Sequence, residues 1–394
     1  MATDRYDYVI VGGGMTADAA VRGIRQVDGR GSIVLLSEEP HPPYNRPPLS
    51  KALWRGLAEE KIWRRTDELG VELRLGRRAV RLDVRSRTVT DDAGAEVRYG
   101  KLLLATGGRP RRLPLGDGIL YFRTLRDYRR LREWAQPGRT VAVLGGGFIG
   151  SELAAALVGQ GVRVVLCFPE RGIGARLFPA DLAEFLNGFY RERGVDVRPG
   201  TLVVGAEARG AGYALRTKGG GTIEADAVVA GIGIVPETSL AESAGLRVED
   251  GIVVDAECRA SAPDVFAAGD VARFPSPHLG TLVRVEHEDN ANTQGVHAGR
   301  GMAGELAPYT HLPYFYSDLF EMGYEAVGEL DPNLETVADW AEPHRRGVVY
   351  YLREGRVRGV LLWNVRGRLA AARRLLAEPG PFRPEDLRGR ISGT

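Results

Sequence analysis

Residues 6–21 read YDYVIVGGGMTADAAV, and the reading of this stretch decides the fold. Tyr6, Tyr8, Val9, Ile10 and Val11 make an apolar, β-favouring run suited to a buried parallel strand. Gly12, Gly13 and Gly14 follow at once, and Ala17, Ala19 and Ala20 then begin a helical pattern. The spacing is G-x-G-x-x-A, and each small residue has a physical task. Gly12 permits the tight turn out of the strand, Gly14 lets backbone approach a pyrophosphate, and Ala17 lets the helix lie close to the sheet. The free N–H groups at the helix start then face the anion. A second strand, Ser32–Leu36, leads to Glu38, an acid about 20 residues beyond the glycines, where a ribose diol needs an acceptor.

The same pattern returns further along. Thr140–Leu144 (TVAVL) is strand-like, Gly145-Gly146-Gly147-Phe148-Ile149-Gly150 completes G-x-G-x-x-G, and Ser151–Val158 is an alanine-rich helix. The next strand, Val162–Phe168, ends near Glu170. Two dinucleotide-binding units in one chain ask for two nucleotides. The fold class expected is α/β, with two Rossmann-type domains.

Composition sets the outer limits. With 394 residues the chain exceeds one ordinary domain, and 44% hydrophobic with 26% charged residues is ordinary for a packed protein. A net charge of +2 gives no electrostatic case for nucleic acid. The start, MATDRYDYVIV, enters the first strand without a signal-like apolar segment, and no apolar run reaches the roughly 18 residues of a spanning helix. Cys167 and Cys258 are isolated and have no metal or C-x-x-C spacing. The expectation is a cytoplasmic protein, with no membrane partner and no metal.

Tyr44–Trp54, YNRPPLSKALW, resembles the flavin-proximal segment of the FAD-dependent ferredoxin reductases and of apoptosis-inducing factor. Together with the doubled glycine motifs, APDVFAAGD (Ala262–Asp270) and RVEHED (Arg284–Asp289), the resemblance spans nearly the whole chain. It implies a glutathione-reductase-like arrangement: a discontinuous FAD domain (1–110 and 235–305), an NAD(P)H domain (111–234) and a C-terminal α+β interface domain (306–394). A flavin in the first unit needs a reductant, and a nicotinamide in the second supplies hydride.

The resemblance also distributes site residues. On the FAD side it places Gly12, Gly14, Ala17, Glu38, Arg46, Lys51, the Val80 backbone, the Ala105-Thr106-Gly107 turn, Arg123, Asp270, Glu286, His287 and Tyr316. On the NAD side it places Gly145, Gly147, Phe148, Ile149, Gly150, Glu170, Arg176 and Gly233. Lys51, Glu152 and His287 are the catalytic candidates, with Lys51 paired to Glu152 beside the flavin. Read from the residues alone, Lys51 is a solvated helix charge and Glu152 a favourable helix-start acid. Arg123 is equally a helix-start charge, and His287 a structural cap. Glu170 suits the diol of NADH, while Arg171 and Arg176 nearby leave NADPH open. Glu237 stands where the resemblance expects Asn, and Tyr316 where many relatives carry Trp.

The disulfide reductases of the superfamily need a redox cysteine, and Pro42–Ser50, where they place it, has none. Cys167 ends a strand and Cys258 sits in an outer loop on this reading, so dithiol and sulfenic acid chemistry are set aside. The resemblance implies an oxidoreductase that takes hydride from NADH to FAD and passes electrons to a ferredoxin-type iron–sulfur protein. Two alternatives stand beside it: a diaphorase reducing quinones or oxygen, and a redox sensor of the apoptosis-inducing-factor kind. The missing long insertion and mitochondrial leader speak against a death-signalling role. A homodimer is compatible with all three.

Overall fold

The first strand, Asp4–Val11, has its last four residues buried, as a parallel strand covered on both faces requires. The computed structural model describes residues 4–391. They form two compact units, one of residues 4–46, 59–109 and 235–313, the other of residues 47–58, 110–234 and 314–391.

In the first unit, Asp4–Val11 lies between Ile33–Ser37 and Glu96–Leu104 and runs parallel to both. Glu72–Leu75 extends the sheet beyond Ile33–Ser37. Strand Glu96–Leu104 has two partners on one side: its start pairs antiparallel with Thr88–Asp91, and its end runs parallel to Val265–Ala267. The chain therefore leaves this sheet and comes back to complete it. Gly12 adopts φ +125°, and a Cβ there would stand 2.1 Å from the Ala105 carbonyl oxygen, so the turn needs glycine.

The helix that follows, Met15–Val27, buries Ala17, Ala20, Val21 and Ile24 and packs along a second helix, Glu288–Met302. Glycines set the approach. A Cβ on Gly299 would lie 2.1 Å from the Ala20 carbonyl oxygen, and one on Gly23 would lie 2.2 Å from that of Val296. The two helix backbones thus touch directly.

In the second unit a five-stranded parallel sheet runs in the order Val195–Arg198, Arg163–Cys167, Thr140–Leu144, Ala227–Ala230, Leu120–Tyr121. A three-stranded meander (203–225) adjoins it in sequence. The C-terminal part is a five-stranded antiparallel sheet in the order Tyr314–Leu319, Met322–Gly328, Arg356–Trp363, Arg346–Arg353, Glu335–Glu342. Its hairpin turns at Glu354 and Gly355, both with positive φ, the conformation a two-residue turn requires. Helix Leu369–Ala377 packs on this sheet.

The sequence placed the elements well and their ends less well. Both motif helices start directly after the last flexible glycine, at Met15 and Phe148, earlier than the alanine runs suggested. Gly14 and Gly147 are their extended N-caps, so the polar residues that follow are already helical. The late helix is Glu288–Met302, and Gly304, with φ +106°, turns the chain away after its end. Lys51 is not helical: it separates the 3-10 turns Pro47–Ser50 and Ala52–Arg55. Among the described residues no helix is long and apolar enough to cross a membrane.

Candidate functional site

The first unit carries a cradle built from three loops. A Cβ on Gly14 would meet nothing within 4 Å except the Arg46 guanidinium, so the mouth of the first helix is open and faces one cation. Arg46 is held there by Glu39, at 2.5 Å, and by the Tyr44 hydroxyl. The turn at Gly269-Asp270 closes the other side. Its Gly269 N–H donates to Gln294 Oε1 at 2.8 Å, and its Asp270 carbonyl accepts from Arg284. Gln294 Nε2 and Arg284 Nε are both buried donors with no acceptor among the described residues, and such groups are rare unless a bound molecule or water completes them. An open helix N-terminus, an adjacent arginine and two orphan donors fit a dinucleotide pyrophosphate with its polyol.

The remaining first-unit residues take varied places. Glu38 directly follows strand Ile33–Ser37 and is exposed, whereas its neighbour Glu39 is occupied with Tyr44 and Arg46. Val80 is exposed on Ala79–Asp83. Ala105, Thr106 and Gly107 follow the sheet as expected, and Thr106 Oγ1 donates to the Glu237 carbonyl at 2.7 Å. Glu237 N in turn donates to the Gly107 carbonyl at 2.9 Å. The residue at 237 thus joins the two crossings of the chain by its backbone, while its carboxylate pairs with Arg109 at 3.2 Å.

The second unit repeats the helix mouth. Gly145 has φ +112°, a Cβ on Gly150 would collide with the Gly145 carbonyl at 1.8 Å, and Gly147 faces open space. Phe148, next to it, packs edge-on against Phe315 at 5.7 Å, and Ile149 lies in the first turn of helix Phe148–Val158. Glu170, beyond the second strand, pairs with Arg176 at 2.6 Å; the arginine is 81% exposed. Gly233 has φ +91°, and its carbonyl accepts from Arg111 N–H at 2.9 Å. Arg123 precedes Thr124, which caps helix Leu125–Trp134 reciprocally with Asp127.

The second unit also holds the pair that the resemblance proposed. Lys51 Nζ lies 2.6 Å from Glu152 Oε1, with side-chain exposures of only 13% and 3%. This corrects the view of Lys51 as a solvated charge and of Glu152 as a plain helix-start acid: packing has withdrawn both from water. Two serines complete the carboxylate. Ser50 Oγ donates to Oε2 at 2.5 Å, and Ser317 Oγ donates to Oε1 at 2.6 Å. The Lys51 ammonium also sits 5.0 Å from the centre of the Tyr316 ring. Ser317 had no signal in the sequence beyond standing next to Tyr316. Ser50, at the end of the turn Pro47–Ser50, serves Glu152 from a segment with no such signal either.

His287 is the N-cap of helix Glu288–Met302 by its backbone, and its side chain makes no capping bond. Glu286 pairs with Arg284 at 2.6 Å. Burial pushes the His287 imidazole down to about 4, although Asp270 and Asp289 pull the other way. The ring is therefore neutral near pH 7. The unfolded value is about 6.5, so the folded protein binds fewer protons between the two. Stability is present in full above about 6.5 and is lost as pH falls toward 4. His297, also lowered by burial, adds to the same window. His287→Gln should flatten part of this slope in melts of the flavin-free protein from pH 4 to 7; an unchanged slope would refute the buried-neutral assignment.

Both cysteines are buried. Cys258 was placed in an outer loop; it does lie in a loop, with φ +62°, but is wholly covered, and burial raises its thiol well above the usual range. Cys167 is likewise raised, to about 12. Neither offers a thiolate near neutral pH. Among the described residues no group of three or more His, Cys, Asp or Glu side chains is arranged to hold a metal ion.

Comparison with known proteins adds the following. Residues 6–295 match the family described as pyridine nucleotide-disulphide oxidoreductase. Residues 298–346 and 341–378 match the C-terminal domain of mitochondrion-associated apoptosis-inducing factor. The ferredoxin–NAD(+) reductase component of the anthranilate 1,2-dioxygenase system of Burkholderia cepacia is 35% identical over 96% of this chain and 96% of its own length. Apoptosis-inducing factor 1 of Dictyostelium discoideum is 34% identical over 95% of this chain and 78% of its own. Among solved structures, the reductase in the covalent putidaredoxin reductase–putidaredoxin complex superposes with a TM-score of 0.90 at 30% identity, covering 98% of this chain and 95% of that one.

Proposed function

The chain belongs to the pyridine nucleotide-disulphide oxidoreductase family, and from that premise we propose that it is an NADH-dependent flavoprotein reductase of a ferredoxin-type iron–sulfur protein. FAD, when bound, would supply the conversion between two-electron transfer from a nicotinamide and one-electron transfer to a carrier. The observation that carries the reading is the pair of open glycine mouths, at Gly14 and Gly147, in a chain whose thiols are both buried. That combination supports nucleotide-to-nucleotide transfer and argues against dithiol exchange.

We assign FAD to residues 1–110 with 235–305, NADH to 111–234, and the interface domain to 306–394. Gly12, Gly14 and the first helical turn hold the FAD pyrophosphate, with Arg46 adding positive charge and Asp270 accepting from the polyol. Gly145–Gly150 and Gly233 hold NADH. Lys51 is assigned to the flavin as the resemblance implies, and Glu152 fixes its ammonium, with both carboxylate oxygens oriented by Ser50 and Ser317. Tyr316, against the Lys51 ammonium, covers the same site. Relatives that this chain matches over 96% and 84% of their own lengths serve dioxygenase systems as ferredoxin–NAD(+) reductase components, which favours this reading over quinone or oxygen reduction.

Anaerobic mixing with NADH tests it. Rapid flavin bleaching followed by rapid reduction of a [2Fe-2S] ferredoxin is expected. Quinone turnover without ferredoxin turnover, or a persistent long-wavelength band with poor turnover, would overturn it.

Glu170 is assigned to the NADH ribose, with Arg176 at its side. Glu170→Ala should weaken NADH about tenfold, the scale of a hydrogen bond to a charged group, and should leave NADPH nearly unchanged because Arg176 is released to meet a 2′-phosphate. Equal losses for both nucleotides, measured as dissociation constants, would remove the assignment.

A further inference from the structure

Arg64 stands outside every motif, yet three segments of the first unit meet on its guanidinium. Its Nε donates to Asp18 Oδ2 at 2.6 Å, NH1 to Asn45 Oδ1 at 2.8 Å, and NH2 to Asn292 Oδ1 at 2.8 Å. The side chain is 13% exposed. Its backbone is fixed too: Arg64 N–H donates to the Pro43 carbonyl, Asn45 N–H to the Ile62 carbonyl, and Arg22 to the Arg64 carbonyl.

Each partner belongs to an element of the cradle. Asp18 lies in the first turn of helix Met15–Val27, Asn45 precedes Arg46, and Asn292 lies near the start of helix Glu288–Met302. Asp18 is an electrostatic difficulty, because it is a wholly buried carboxylate one turn from a helix mouth that must attract a pyrophosphate. Arg22, Thr66 and Arg64 surround that carboxylate, at 2.9, 2.7 and 2.6 Å. Arg22 and Thr66 bind nothing on the other two segments in this set of bonds. Arg64 alone both offsets the charge and ties the three segments together, and the directions of its three bonds need a planar fork that lysine lacks.

We propose that Arg64 is a positioning residue for FAD: it sets the spacing of the two helix N-termini and of the Arg46 loop without itself touching the cofactor. The inference rests on the assignment of FAD to this unit. Arg64 controls how tightly FAD is held, and the chemistry at Lys51 is outside its reach.

The test is reconstitution of flavin-stripped protein, followed by quenching of flavin fluorescence. Arg64→Ala leaves the Asp18 carboxylate buried without this partner, which destabilises the fold itself, so the deciding variants are Asn45→Ala and Asn292→Ala, which remove one bond each and strand no charge. Each should weaken FAD about tenfold while the melting temperature of the flavin-free protein stays within a few degrees of wild type. Arg64→Lys should weaken FAD as much as Asn45→Ala and Asn292→Ala combined, since charge is kept and the fork is lost. At saturating FAD, kcat with NADH should be that of the wild type in all three variants. Wild-type FAD affinity in Asn45→Ala and Asn292→Ala would overturn the role of Arg64, as would full rescue by lysine. Failure of the unaltered protein to bind FAD would instead overturn the function proposed above.

Discussion

Glu152→Gln is expected to lower the unfolding free energy by about 3 kcal/mol at pH 7, because it strands the Lys51 ammonium in a site largely closed to water. Gln preserves the size of the side chain and can still bond Ser50 and Ser317, so the loss reports the charge and not a cavity. Lys51→Met combined with Glu152→Gln should recover most of the stability, and denaturant melts of the four proteins of this cycle measure the coupling. Additive losses would mean that the pair carries no interaction energy. Chemistry is read in parallel: Lys51→Ala should retain FAD and slow flavin reduction by NADH roughly tenfold or more, the scale of losing one directed donor at a charge-developing atom. An unchanged rate would dismiss the assignment of Lys51 to the flavin.

Gly299→Val should cost about 3 kcal/mol and release FAD. The first atom of the new side chain would stand 2.1 Å from the Ala20 carbonyl oxygen, and neither group is a flexible side-chain end that can swing aside. The two helices must separate, which overpacks one side and unpacks the other. The same displacement parts the helix mouths, since Gly295, a turn earlier, already holds its Cα against Thr16, with an added Cβ only 2.6 Å from the Thr16 carbonyl oxygen. Flavin content after purification and the melting temperature check this. A yellow protein with a wild-type melting curve would show that the helices are less tightly apposed than their glycines indicate.

Legibility in the sequence followed the range of the interaction. Strand Thr140–Leu144 has the bounds read from its apolar run, and the hairpin turn at Glu354-Gly355 is equally local. Each is coded by neighbours: alternating or continuous apolar residues, then a turn whose backbone excludes most side chains. Helix starts were read late because an extended glycine N-cap leaves no polar cap residue to mark the boundary. The pairing of Lys51 with Glu152 came from resemblance, and residue physics alone favoured a solvated charge at Lys51 and a helix-start acid at Glu152. Only packing shows that both are buried.

The sequence by itself determined that this chain folds around two glycine-turned nucleotide mouths, since strand, turn and helix occupy adjacent residues and each conformation is a local choice. What surrounds the chemistry was decided by tertiary structure. Glu152 takes its serine partners from 102 and 165 positions away, and Arg64 reaches Asn292 across 228. No local propensity encodes such contacts. They exist because the sheet order brings distant segments side by side, and because burial then leaves each polar atom only the partner that packing has placed within reach.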